Sequence, residues 1–159
     1  MHQPLVTHAV SRPASPPLRA LITAGPLLAA AVVYLATYVS VSHRLPDTVA
    51  THIGADGPDG FMTPGGALGF TLGILALNAA VFGYTAWQRA GTTRSVRAST
   101  VGSWAIAGLV GYLSIALLIA NVDVSVPQLV DFPLALHLPA AAVVGAICSG
   151  VGAALTWRI

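Results

Sequence analysis

The sequence predicts an all-α membrane protein with four transmembrane helices, and three observations predict it. Of the 159 residues, 55% are hydrophobic and only 8% are charged, where a soluble domain carries about 25% charged residues. Four apolar runs free of charged residues are each long enough to cross a hydrocarbon core, which takes about 20 helical residues. The basic residues also divide unequally among the segments between these runs, as the positive-inside rule requires. The mean hydropathy is positive, and a helix can cross lipid alone because it satisfies its own backbone hydrogen bonds.

The elements follow in order. Residues 1–19, with Pro13, Pro16 and Pro17, read as a disordered cytoplasmic tail. Span one covers residues 20–41. "SVS" at Ser40–Ser42 has the small-residue spacing of a signal-peptidase site, but the apolar run exceeds the 7–15 residues of a signal-peptide core, so the helix is expected to be retained. Pro26 should bend this helix or free a carbonyl.

Span two covers 67–87. Thr63 is placed to cap it, and Pro64 suits a first turn whose amide needs no internal partner. Gly65, Gly69 and Gly73 then recur on one face. Such rows let helix backbones approach closely in lipid, and packing within the bundle is the first expectation, with a homodimer face as the other reading. Asn78, midway along, is expected to bond across helices.

Span three covers 101–120 and span four 132–157. Span four carries Pro139 and the small row Ala141, Gly145, Ser149. His137 lies about one turn in, and an intramembrane His is a functional candidate by default. Cys148, the single cysteine, excludes an internal disulfide and a cysteine-only metal site.

Charge orients the bundle. Arg12, Arg19, Arg89, Arg94, Arg97 and Arg158 fall on one side. Arg44 falls on the other, together with Asp47, Asp56, Asp59, Asp123 and Asp131. The positive-inside rule then puts both termini in the cytoplasm (N-in/C-in) in a multi-pass cell-membrane protein. Tyr38, Trp87, Trp104 and Trp157 fall near the expected span ends, where amphipathic rings prefer to sit.

The outer loop, residues 42–66, is the longest connection. Connections of this length are usually functional or disordered. Pro46 stops span one. Asp56-Gly57 and Pro58-Asp59-Gly60 read as consecutive tight turns, and Val49, Ile53, Phe61 and Met62 supply an apolar side. A compact extracytoplasmic cap fits this pattern.

Its polar groups allow three readings. As metal ligands, His43, His52, Asp47 and Asp59 are suitable types, and His137 faces the same side. Yet His-x8-His is no zinc spacing, and "DGPDG" lacks the alternating oxygens of a calcium loop, so no metal and no cofactor is assigned. In the second reading the groups form a contact surface for a peptide or other ligand. Or they hold the loop together, with His52, Asp56 and Asp59 satisfying turn amides.

Several classes are excluded. No GxSxG, HExxH or GxxxxGK[ST] motif is present, so the chain is read as non-enzymatic. No charged side chain lies at mid-membrane, where a proton pump or secondary transporter usually places ionisable groups. The loop arginines serve topology or anionic lipid more simply than nucleic acid.

The outer loop also carries a resemblance. Leu45-Pro46, then His52, then Gly57-Pro58-Asp59-Gly60 keep the order and spacing of the small membrane proteins that carry the domain of unknown function 1648, shared with SdpI-type immunity proteins. The resemblance covers about 20 residues and the placement of the flanking helices. The sequence departs from the pattern at Ala50, where a Pro precedes the His, at Ile53, where an aromatic is usual, and at Gly54, where Asn or Asp is common. The resemblance implies an integral membrane protein that binds or senses at the outer face, in immunity or signalling towards a secreted peptide, with Leu45, Pro46, His52, Gly57, Pro58, Asp59 and Gly60 at the binding loop; His43, Asp47 and His137, by residue type and side alone, are candidate helpers. The expected partners are the lipid bilayer, a secreted peptide or another membrane protein, and a second copy of the chain. The alternative is an accessory subunit of a membrane transport or export complex.

Overall fold

The computed structural model describes residues 15–88 and 93–157. Four long helices dominate it: α1 (Pro16–Val41), α2 (Pro64–Gln88), α3 (Thr93–Ala120) and α4 (Leu134–Trp157). They run 24 to 28 residues, or about 36–42 Å at 1.5 Å per residue. All four are long and apolar enough to cross a membrane.

Three helices, α1, α2 and α3, begin earlier than the apolar runs suggest. Pro16 and Pro17 open α1 instead of lying in a tail, because a proline in the first turn lacks only an amide that has no partner there. The rest of the expected tail, residues 1–14, lies outside the described residues, as do Arg12, Arg89 and Arg158. Helix α3 starts at Thr93, so Trp104 sits well inside it. Thr63 does cap α2: its Oγ1 accepts from the Gly66 amide at 3.2 Å.

The helices form a chain of neighbours. α1 packs on both α2 and α3, α3 carries α4, and α2 touches α3 only sparsely. Leu27, Leu75, Ala79 and Ala107 form the core where α1, α2 and α3 meet. Small residues set the α3–α4 spacing: a Cβ built on Gly108 falls 2.8 Å from Cys148 Sγ, and one on Gly145 falls 3.2 Å from the Ala105 carbonyl oxygen.

The α1–α3 seam is polar at one level, and Pro26 explains why. A proline at 26 supplies no amide to the carbonyl of Ile22, one turn back. The Trp104 indole of α3 donates to that carbonyl at 3.1 Å. One residue on, Ser103 donates to the Thr23 carbonyl, and the Thr23 and Thr100 hydroxyls bond at 2.8 Å. The expected freed carbonyl is therefore present, and the next helix satisfies it.

Two packing expectations fail. Gly65, Gly69 and Gly73 are exposed, and a Cβ on any of them meets nothing within 4 Å. The row looks away from the bundle because α2 turns its Leu75 and Ala79 inward. Asn78 does not bond across helices: its Nδ2 donates to Ile74 of its own helix at 2.9 Å.

The segment between α1 and α2 is not a run of turns, so the chain is not wholly helical. After a 3-10 turn at Ser42–Arg44, β1 (Val49–Gly54) pairs antiparallel with β2 (Gly57–Met62). Asp56-Gly57 does lie at a turn, with Gly57 at φ 116°, a backbone region that suits glycine. Pro58-Asp59-Gly60 is strand, with Pro58 opposite Ile53 and Gly60 opposite His52. Both strands of a two-stranded sheet are edges, and an edge tolerates a proline.

Candidate functional site

The hairpin is fastened to one end of the bundle by residues from the opposite connection. Asn121, just past α3, is buried. Its Oδ1 accepts from the Ala50 amide at 2.7 Å, while Nδ2 donates to the Ala50 carbonyl at 3.0 Å and to the Leu117 carbonyl at 2.8 Å. One carboxamide thus takes the place of a neighbouring strand for Ala50. Beneath it, Ala50, Val130 and Phe132 form a second apolar core, with Ile53, Leu117 and Leu134 packed against it.

A charged clamp closes the same end. The Arg44 guanidinium donates through Nε, at 3.2 Å, and Nη2 to the two Asp123 carboxylate oxygens. The Asp123 amide also donates to the Arg44 carbonyl at 3.0 Å, with Asp123 itself at φ 61°. Arg44 holds the Asp123 carboxyl below the ordinary carboxylate value, by hydrogen bonding first and charge second, and nearby His43 adds to the effect.

The predicted loop residues separate into groups. His52 and Asp59 join across the hairpin, His52 Nδ1 to Asp59 Oδ1. Both are exposed, and an exposed pair adds little stability, so its consequence is a fixed orientation. Gly60 makes room for it: a Cβ there falls 2.7 Å from the His52 Cβ. Gly54 does the same for Asp59, since a Cβ would lie 2.5 Å from Asp59 Oδ2. His52, Gly57, Pro58, Asp59 and Gly60 thus make one constellation. The pair's oxygen partner is the imidazole, not the turn amides expected for it.

Leu45, Pro46 and Asp47 lie elsewhere, lining a shallow polar cleft with Thr48, Ser125 and Gln128. His43 is exposed in the 3-10 turn near Asp123. His137 does not join the loop groups. It is half-buried, stacks on Phe132 with centroids 4.0 Å apart, and shares a hydrogen bond with the Tyr112 hydroxyl at 3.1 Å. Among the described residues, no three His, Cys, Asp or Glu side chains gather as metal ligands. The weak candidates His43, His52 and Asp47 are therefore not brought together as a ligand set.

Asn121, Arg44 with Asp123, and Phe132 are the positions that sequence reasoning missed. A signal for Asn121 existed: a lone carboxamide directly after an uncharged span, where a helix end needs partners.

A rigid exposed platform of this kind can present a surface and recognise a partner. Its polar groups supply no nucleophile and base in hydrogen-bond contact with an orienting third group. Comparison with protein-family models, with curated proteins and with solved structures finds no match to this chain.

Proposed function

We propose that the chain is a multi-pass cell-membrane protein, N-in/C-in, that works without catalysis and binds or senses at its outer face. The observation that carries this reading is the fastened hairpin. Asn121 and the Arg44–Asp123 clamp spend their bonding on holding it, while His52, Asp59, Phe61 and Met62 remain exposed on it. A flexible tether needs no such anchoring. The arginine asymmetry supports the outward direction. The resemblance of residues 45–60 to the domain of unknown function 1648 and SdpI-type proteins supports a secreted peptide as the partner, in immunity or signalling.

The test uses a peptide-sensitive bacterial host expressing the chain and challenged with secreted peptides encoded beside its gene. Wild type restores growth, and His52→Ala at equal membrane abundance does not. Equal growth of both would remove the hairpin as the recognition surface.

A second reading, an accessory subunit of a membrane transport or export complex, draws on the open Gly65–Gly69–Gly73 face of α2, which no part of the described chain covers. It predicts co-purification with a larger membrane partner and loss of that partner in Gly69→Leu.

A further inference from the structure

A cleft lies under strand β1, between α1, α2 and α3. Its volume is about 130 Å³. It exists because α2 and α3 lean on α1 and hardly on each other. Along α3 it reaches from Asn121 to Val110, or about 16 Å of helix rise. Phe70 and Ile74 of α2 and Val110 and Leu117 of α3 form its side walls, and Val49 and Ala50 close one end. Phe70 is 57% exposed and Ile74 37%, so the α2 wall of the cleft reaches the surface of the bundle, beside the sparse α2–α3 contact.

The lining carries no charged side chain. Two of its polar groups are already engaged within the chain. The Asn121 carboxamide makes its three bonds to Ala50 and Leu117, and the Tyr34 side chain bonds to Thr71. Water needs two to four polar partners to stay in such a space, and beyond these groups only the Thr51 and Ser114 hydroxyls remain among the lining side chains. An empty cleft forfeits the dispersion contacts of its walls. A hydrocarbon occupant restores those contacts and asks for no hydrogen bond. For scale, an apolar cavity of about 150 Å³ takes up benzene.

We propose that this cleft holds the end of one acyl chain of a bilayer phospholipid, entering between α2 and α3. The inference rests on the reading that the four helices span a membrane, because that places hydrocarbon at the mouth. The chain end lies along the Val110–Leu117 wall, and Ser114 marks the middle of that wall. The occupied cleft then fills the gap beneath the hairpin and backs strand β1.

The test is native mass spectrometry of full-length protein released from nanodiscs of palmitoyl-oleoyl phosphatidylethanolamine and phosphatidylglycerol. Wild type should retain one phospholipid per chain under activation that strips the remainder. Ser114→Phe, which fills the cleft, should lower the retained fraction at least tenfold, while Ser114→Ala leaves it unchanged. If Ser114→Phe does not fold, Val110→Phe fills the same space from the next turn. Wild type that retains no lipid, or a folded filled variant that retains as much as wild type, overturns the proposal. A carbonate wash of membranes separates the two levels of failure. Chain found in the soluble fraction ends the membrane reading itself, whereas chain that resists the wash yet carries no lipid ends only the acyl-chain site.

Discussion

At the scale of single residues, Asn121 decides whether the hairpin is part of the bundle. Its side chain meets both backbone groups of Ala50, and both residues are buried. Asn121→Ala therefore leaves a buried amide and carbonyl unpaired, at a cost of about 1–3 kcal/mol per buried group. The expected outcome is a lower unfolding midpoint and faster hydrogen exchange at the Ala50 amide, with the helix content unchanged. Unchanged exchange there would show that the carboxamide does not hold the strand. Asp123 sets a dependence on pH. Its carboxyl is more acidic in the folded chain, because Arg44 bonds its charged form. A folded-state value below the ordinary one near 3.9 means that the clamp is intact above that ordinary value. It is lost as pH falls through the lowered one. Acid titration of the Asp123 carboxyl by NMR should show a midpoint below that of a free aspartate, and Arg44→Gln should raise it towards the ordinary value.

At the scale of elements, the helices were legible and the hairpin was not. Uninterrupted apolar runs report spans directly, since lipid leaves few other solutions for a backbone. Helix starts were less legible, because Pro16, Pro17 and the polar residues 93–100 look like loop until a helix extends into them. The hairpin had a signal in the alternation of Val49, Thr51 and Ile53. Pro58 hid its second strand, because a proline marks a turn more often than an edge. The anchoring of the hairpin was illegible because Asn121 lies 71 residues from Ala50. The polar α1–α3 seam was half legible: Pro26 announced a free carbonyl, but nothing in the sequence pointed to Trp104 as its partner. That pairing predicts a non-additive double-mutant cycle. Trp104→Phe removes the donor to Ile22 and should cost about 0.6–2 kcal/mol, the range of interhelical bonds in lipid. In a Pro26→Ala background, residue 26 supplies its own amide to Ile22, so the same substitution should cost less. Equal costs in the two backgrounds, read from unfolding in mixed micelles, would disprove the link.

At the scale of the whole molecule, the direction of insertion ties the geometry to the function. The hairpin end carries Arg44 bound to Asp123, so its one arginine is neutralised locally. The other six arginines, at 12, 19, 89, 94, 97 and 158, fall in the sequence around the start of α1, around the α2–α3 junction and after α4. By the positive-inside rule, a side with six basic residues and no acidic ones is expected to stay in the cytoplasm. The proposed orientation carries the hairpin across with its Asp residues, which contribute little to orientation. Cys148 is the single cysteine, so its replacement by Ala gives a background for placing one thiol at a time. In that background, Asp56→Cys at the hairpin turn should react with a membrane-impermeant maleimide on intact cells. Gln88→Cys, at the end of α2, should react only after the membrane is permeabilised. Both positions are exposed, so access and not burial decides the labelling. The reverse pattern would put the hairpin inside the cell, and with it any recognition of a secreted peptide would fail. Reducing the bias by Arg94→Asp and Arg97→Asp together should produce a mixed population in which both sites label in part. That outcome would identify the arginines, and not the hairpin, as the cause of the orientation.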